Sequence, residues 1–354
     1  MPFVEFRANR IVSGVTHGLG SAGALGWLLL AACVAALAAS VAPRAWRDSA
    51  VLAGGALVLG LLPWALGASA VALQEGAPSA ARVSIGSGAW LVLVGGTVAW
   101  FEGSRRSSGA ARAAAGLVAL GALAGSVMWG GVPELSLAKE YVVQQVRFWR
   151  LVGEHLYLSG VGLGFGIAIG VPLGVAASRN RTVRSVTLSV VGIIQTVPSL
   201  ALLGLLVIPL SLIGLPGIGS FPAVVALTLY ALLPIVRNTY VGLAGVDRGA
   251  LDAGRGMGMG PAQLLLRVEA PLAMPLVLEG VRAAAVLVIG IAAVTAFVGA
   301  GGLGILVFLG WGQQADDLTM LGALPMVVLA VVADAAIRGL AHLVVSPGIR
   351  EESL

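Results

Sequence analysis

Residues 247–275, DRGALDAGRGMGMGPAQLLLRVEAPLAMP, are the longest polar interruption in the second half of an otherwise very apolar chain. Two short helical patterns lie inside, about Arg248 to Met257 and, after Pro261, Ala262 to Val268. Proline suits the first turn of a helix, where its missing N–H would have no partner anyway. Gly254, Gly256, Gly258 and Gly260 separate or loosen the two patterns, which suits a helix–turn–helix on a membrane surface and not a spanning helix. Asp247, Arg248, Asp252, Arg255, Arg267 and Glu269 supply charge of both signs. Such a stretch belongs outside the lipid, where something can dock on it.

The flanking sequence sets the class. Of 354 residues 58% are apolar and 10% charged, and the mean hydropathy is +0.99. Several apolar runs reach the length of a crossing, about 20 helical residues for a bilayer core of about 30 Å. They are too long for barrel strands and do not alternate. The chain reads as an all-α polytopic membrane protein. A net charge of +5 raises nucleic acid as a partner, but the basic residues are spread over many loops without interleaved aromatics. They read as a topological signal, and no nucleic-acid partner is expected. The lone Cys33 rules out an internal disulfide and reads as a small apolar residue.

Four spans are predicted in the first third, about 22–42, 50–73, 84–102 and 110–131, rich in Ala, Gly, Leu and Val. Residues 1–131 thus form an accessory membrane region without chemistry of its own. Its Trp64, Trp90, Trp100 and Trp129 read as interface anchors or packing residues. The first run looks like a secretory signal, yet the long leader and later spans predict an uncleaved helix. Residues 132–152 carry Lys139, Glu140, Arg147 and Arg150 beside Tyr141, Phe148 and Trp149, and read as an amphipathic linker at the interface. Five more spans follow within a core of residues 153–345, about 155–178, 185–209, 221–241, 275–298 and 318–345. Residues 346–354 are left as a cytoplasmic tail.

Nine spans with the C-terminus inside place Arg179, Arg181, Arg184, Arg237, Arg248, Arg255, Arg267 and Arg338 in the cytoplasm, together with residues 247–275. Arg7 and Arg10 point the other way, so the side of the N-terminus stays open.

Catalysis fails on inventory. A phosphate-binding P-loop needs a lysine followed by Ser or Thr, and the only lysine, Lys139, is followed by Glu140. The Gly-x-Gly patterns at Gly160–Gly166 and Gly254–Gly260 follow no strand; close helix packing and local flexibility account for them. His17, His155 and His342 are scattered without ligand partners, so no metal site is expected. Inside the spans, Glu279 and Arg282 are three apart and Asp334 and Arg338 four apart, so each pair can neutralise itself. An ion-coupled carrier would need an isolated carboxylate or a broken-helix ion site at mid-membrane. The energy source is therefore expected on another chain. Polar groups that could line a pathway are few: Gln195, Thr196, Pro198 and Ser199, then Tyr230, Pro234, Asn238 and Thr295. Each taken alone reads equally well as a structural kink with satisfied side chains.

Residues 247–275 resemble the cytoplasmic "EAA" loop of ATP-binding-cassette importer permeases: Glu-Ala-Ala, three residues, Gly, nine residues, then Ile-x-Leu-Pro. Asp252-Ala253-Gly254 stands at the triplet, Gly258 at the interval, and Val268-Glu269-Ala270-Pro271 at the end. Asp replaces Glu, Gly the second Ala, Val Ile, and Ala Leu; the spacing is kept. The segments SGVGLGFGIAIGVPLGVAASRNR, IIQTVPSLALLGLL, ALLPIVRNTYVGL and AFVGAGGLG are similar to permeases of the osmoprotectant branch, whose usual cargoes are glycine betaine, choline, carnitine and related quaternary amines. The resemblance covers about residues 153–345.

It implies a type I importer transmembrane domain of about five core helices, preceded here by about four extra ones, in a bacterial-type plasma membrane. It implies as partners cytoplasmic ATPase subunits, an extracytoplasmic solute-binding protein and a second permease chain, identical or not. This chain would hold no cofactor; ATP and Mg²⁺ would sit on the ATPase. Asp252, Ala253, Gly254, Gly258, Val268 and Pro271 would form the coupling loop, and Gln195, Pro198, Ser199, Tyr230, Asn238 and Thr295 are candidates to line the pathway. Asp252 near the start of its helix also suits the helix dipole. A type I permease for another small solute, an amino acid or an anion, stays open as an alternative. A secondary carrier is the alternative from another class.

Overall fold

A chain in lipid must satisfy its backbone internally, so its apolar runs become helices. The computed structural model of the protein describes residues 1–9 and 12–344; the tail at 346–354 lies outside them. Two compact units divide it: Met1–Gln144 with Gly310–Leu318, and Gln145–Leu309 with the chain from Thr319 onward.

In the first unit β1 (Val4–Arg7) is paired antiparallel with β2 (Val15–His17), two helices follow, β3 (Arg82–Ile85) returns to the other edge of β1, and two more helices come after it. The helices are α1 (Ala24–Ser40), α2 (Arg44–Gln74), α3 (Ser87–Arg106) and α4 (Gly109–Trp129); the other three pack on α2. Phe3, Val4 and Val83 are buried with Leu29, Leu62 and Leu66 in one apolar cluster. The sheet is absent from the sequence reading. Its third strand takes the start of the run expected to span from 84, so the helix begins at Ser87. Trp64 packs between helices, its Nε1 donating to the Ala122 carbonyl at 2.8 Å.

The segment Gly310–Leu318 folds with this unit. Arg7 donates to the Gln314 carbonyl at 3.3 Å and meets Asp316 at 3.4 Å, while Ser84 Oγ donates to Asp317 Oδ2 at 2.7 Å. The Arg7 guanidinium is held above its ordinary pKa, first by its hydrogen bond to Glu5. Gln314 sits at φ +53°, the one non-glycine residue with positive φ among the described residues.

Helix α5 (Ser136–Arg179) runs 44 residues without a break. The stretch expected to lie flat at 132–152 is, from Ser136 on, its beginning, and the boundary between units falls inside it. The only lysine is used here: Lys139 pairs with Glu134 at 3.0 Å and bonds Gln74 at the end of α2.

The second unit is zipped by glycine. Gly162, Gly166, Gly170 and Gly174 recur every fourth residue of α5 and face Leu227, Ala231, Ile235 and Thr239, also four apart, on α8 (Ser220–Ala244). A Cβ on Gly166 would lie 2.5 Å from Ala231 Cβ, so the two backbones approach as only small residues permit. Close packing is what these glycines do.

Between α5 and α8, the run expected as one span at 185–209 is two helices, α6 (Arg181–Thr196) and α7 (Ser199–Leu212), bent by 108°. Pro198 at the bend disfavours helical geometry for Val197, which is extended. After α8 come α9 (Arg248–Gly256) and α10 (Pro261–Leu264), which runs through a π turn at Leu265–Glu269 into α11 (Ala270–Ile291). The second short helix expected at Ala262–Val268 is thus the opening of a helix that reaches Ile291. The π register makes this possible: Ala270 N–H bonds to Leu265, five residues back, just before Pro271, which has no N–H to give. The connection 299–317 holds α12 (Gly304–Gly312), and α13 (Asp316–Val344) ends the described chain.

Among the described residues six helices are long and apolar enough to cross a membrane, or seven with the bent pair counted as one span. Nine spans were expected; α1, at 17 residues, and α3, which ends on charge, fall short. The two intramembrane ion pairs are one network. Arg282 on α11 bonds Glu279 at 2.9 Å and Asp334 of α13 at 2.8 Å, and Asp334 also pairs with Arg338.

Candidate functional site

The segment 247–275 is built from backbone rules. Asp247 caps α9, its carboxylate accepting from Ala250 N–H at 3.0 Å. Asp252 is therefore in the second turn, mid-helix, and not near the start as the sequence reading had it; it is exposed and pairs with Arg255 at 3.0 Å. At the other end Gly258 has φ +79°. Its N–H bonds to Arg255 and that of Met259 to Gly254, the paired closing bonds of a glycine-terminated helix. A Cβ on Gly258 would meet nothing within 4 Å, so the position needs glycine for its backbone angle alone.

Gly254 is different. It is buried, and a Cβ there would lie 2.6 Å from Leu264 Cδ1 and 3.6 Å from Val268 Cγ2. The motif's spacing thereby acquires a cause: the first glycine and the valine fourteen positions on face one another across the turn. Gln263 Oε1 accepts from Gly260 N–H at 3.1 Å and Pro261 opens the next helix, so both helix ends at the turn are closed.

The group the sequence reading left without a role is Glu269. It is 2% exposed and bound through two bonds by Arg179, the last residue of α5. Its charge was legible but its inward direction was not, because the π turn shifts the helical phase and Arg179 is 90 positions away. A cleft of about 480 Å³ beside the pair is lined by Arg179, Arg255, Met259, Leu264 and Glu269. Asp252, Ala253, Gly258 and Pro271 are exposed, Val268 half-buried.

Of the candidate pathway residues, Gln195, Pro198, Ser199 and Tyr230 meet at the bend. Pro234 has no N–H, which leaves the Tyr230 carbonyl without its helical donor. Gln195 Nε2 supplies one at 3.1 Å. In return the Tyr230 hydroxyl donates to the Val197 carbonyl at the bend, at 2.5 Å. Tyr230 is buried, Gln195 and Ser199 half-buried, Pro198 exposed. Asn238, further along α8, donates to the Pro234 carbonyl at 2.8 Å. Thr295 is fully buried and donates to Ala292 at 2.7 Å.

Residues 166–346 match the family described as binding-protein-dependent transport system inner membrane component. The chain belongs to this family. It is a multi-pass inner-membrane permease, the non-catalytic transmembrane subunit of an ATP-binding-cassette importer. Membership implies ATPase and substrate-binding partners and a second permease chain. Residues 1–138 match a separate family, the N-terminal domain of ABC transporter permease YehY. The permease is 41% identical over 198 residues to the carnitine transport permease protein OpuCB of Listeria monocytogenes, covering 56% of this chain and 88% of that one. It is 41% identical over 182 residues to the glycine betaine/carnitine/choline permease OpuCB of Bacillus subtilis, covering 51% and 81%. With the osmoprotectant import permease OsmW of Salmonella typhimurium it shares 42% over 200 residues, covering 56% and 93%. Among solved structures, the inward-facing MetNI methionine ABC transporter aligns at 26% identity with a TM-score of 0.50, covering 56% of this chain and 96% of that one.

Proposed function

We propose that this permease forms the pathway for a small quaternary amine osmoprotectant, such as glycine betaine, choline or carnitine, handed over by an extracytoplasmic binding protein. The observation that carries the cargo is identity of 41–42% across the permease core to relatives named for these solutes. The C-terminus is cytoplasmic, as the distribution of arginine favours. The helix from Arg248 to Gly256 seats in a groove of the ATPase, with Asp252 and Ala253 outward. ATP and Mg²⁺ are bound there and not on this chain. A short helix closed at both ends, and held to α10 through Gly254, supports the mechanical role: it can pass ATPase closure to the spans without fraying. Gln195, Ser199 and Asn238 are the polar groups best placed to face a central cavity, and Pro198 marks the bend beside it.

The test is uptake in proteoliposomes holding the permease, its ATPase and its binding protein. ATP-dependent accumulation of radiolabelled glycine betaine, choline or carnitine, each competed by the others, is expected. Accumulation of methionine or another amino acid alone would replace the cargo and keep the importer; accumulation without the ATPase would remove the importer.

A further inference from the structure

Glu154 and His155, adjacent on α5, are used by nothing described so far. They lie about 25 residues from Arg179, about 38 Å along the helix and so at the end opposite the coupling segment. Both reach the same interruption, the stretch 292–303 between α11 and α12. Glu154 Oε2 accepts from Gly302 N–H at 3.0 Å. His155 Nε2 donates to the Ile289 carbonyl at 3.1 Å, just before α11 stops. That carbonyl has lost its helical donor, since Ala293 N–H bonds to Gly290 instead. One dipeptide thus holds both sides of the break.

The break is built on glycine. Gly299, Gly301 and Gly302 have φ of +72°, +95° and +83°, angles from which glycine moves freely and other residues do not. The arrangement also leaves bonding capacity unused: His155 is 0% exposed, yet its Nδ1 has no partner and faces Gly302, where a Cβ would lie 3.3 Å away. Irregular backbone at membrane depth persists only when buried in protein or lining a cavity. Phe297, half exposed on the same stretch, packs on Phe308 with ring centroids 4.2 Å apart and the rings tilted by 51°.

We propose that Glu154 and His155 are positioning residues for transport, a latch that holds the 292–303 break in one of two arrangements, and that this break is the gate at the end of the pathway away from the ATPase. The inference rests on the chain being a permease and not on its cargo. Releasing the latch exposes the break and lets the cycle turn over without cargo; ATP-driven movement at the coupling segment releases it in the intact complex.

The reporter is Phe297→Cys in a Cys33→Ala background, labelled with a membrane-impermeant maleimide on the permease alone in liposomes. Glu154→Ala and His155→Ala are expected to raise the labelling rate about tenfold, the order for losing one charge-assisted or buried hydrogen bond. Glu154→Gln, which keeps an acceptor, stays near the parent; Glu154→Asp, which withdraws the carboxylate by one methylene, moves in the direction of Ala and serves where Ala lowers yield. In the reconstituted complex the Ala variants hydrolyse ATP without cargo and move less solute per ATP, whereas a merely structural defect lowers hydrolysis and uptake together. Equal labelling in parent, Glu154→Ala and His155→Ala, or Glu154→Gln behaving as Glu154→Ala, overturns the latch. Failure of the parent to move any of these solutes would fall on the proposed cargo and not on the latch, which the labelling rates decide.

Discussion

At Gly258 the chain needs a left-handed residue more than it needs empty space. The sequence motif marks the glycine but not the reason, and the reason changes the experiment. A Cβ would meet nothing within 4 Å there. Alanine is expected to cost about 1–2 kcal/mol through backbone angle alone, opening the end of α9, whereas asparagine tolerates that angle and costs less. Capture of the ATPase by tagged permease should fall in the order Gly258, Asn, Ala, at equal permease yield. Equal capture by all three would remove α9 as the docking helix. Glu269 teaches the converse lesson. Its charge can be read from the sequence, but its burial depends on a π turn, and no local pattern announces where a helix will add a residue to one of its turns. An Arg–carboxylate pair with one member buried is held in place by the cost of leaving that carboxylate alone, so Arg179 and Glu269 fix the far end of the 247–275 segment against α5.

Elements in lipid meet where proline or glycine lets them. Of the pattern Gly160–Gly166 read as packing, Gly162 and Gly166 pack on α8 while Gly160 and Gly164 meet nothing within 4 Å; the four-residue stripe that continues to Gly170 and Gly174 was not read from the sequence. The bend between α6 and α7 was half legible: Pro198 announced a distortion, and the apolar composition on both sides still read as one span. What composition cannot carry is the pair of bonds that holds the bend to α8. Gln195 answers the carbonyl that Pro234 orphans, and this yields a cycle. Gln195→Leu leaves the Tyr230 carbonyl unpaired and is expected to cost about 1–3 kcal/mol. Pro234→Ala restores an N–H four residues on, so in that background Gln195→Leu should cost little. Thermal unfolding of the four proteins in one detergent gives the coupling. Equal cost in both backgrounds would mean that Gln195 stabilises the fold by something other than answering that carbonyl.

Across the whole chain, class and span order follow from composition and period, because lipid allows a backbone few choices. The first unit shows where that reasoning stops. Its strands are three and four residues long and abut apolar runs, so the run absorbs them in any hydropathy reading. The partners of Arg7 and Ser84 lie 309 and 233 positions away. Family boundaries would assign residues 310–318 to the permease domain, which matches 166–346, yet by packing they belong with residues 1–144. If the compact units are also the cooperative ones, protection from hydrogen exchange should follow packing. Phe3→Ala empties a site at the heart of the first unit's apolar cluster and should cost about 3–5 kcal/mol there. Exchange at 310–318 should then accelerate with residues 1–144, while α13 beyond Thr319 keeps its protection. Arg7→Met should do far less, since exposed ion pairs contribute about 0–1 kcal/mol, and its effect should be confined to Gln314–Asp317. Were 310–318 to keep its protection in Phe3→Ala, the turn would belong energetically to the permease core, and its bonds to Arg7 and Ser84 would be incidental.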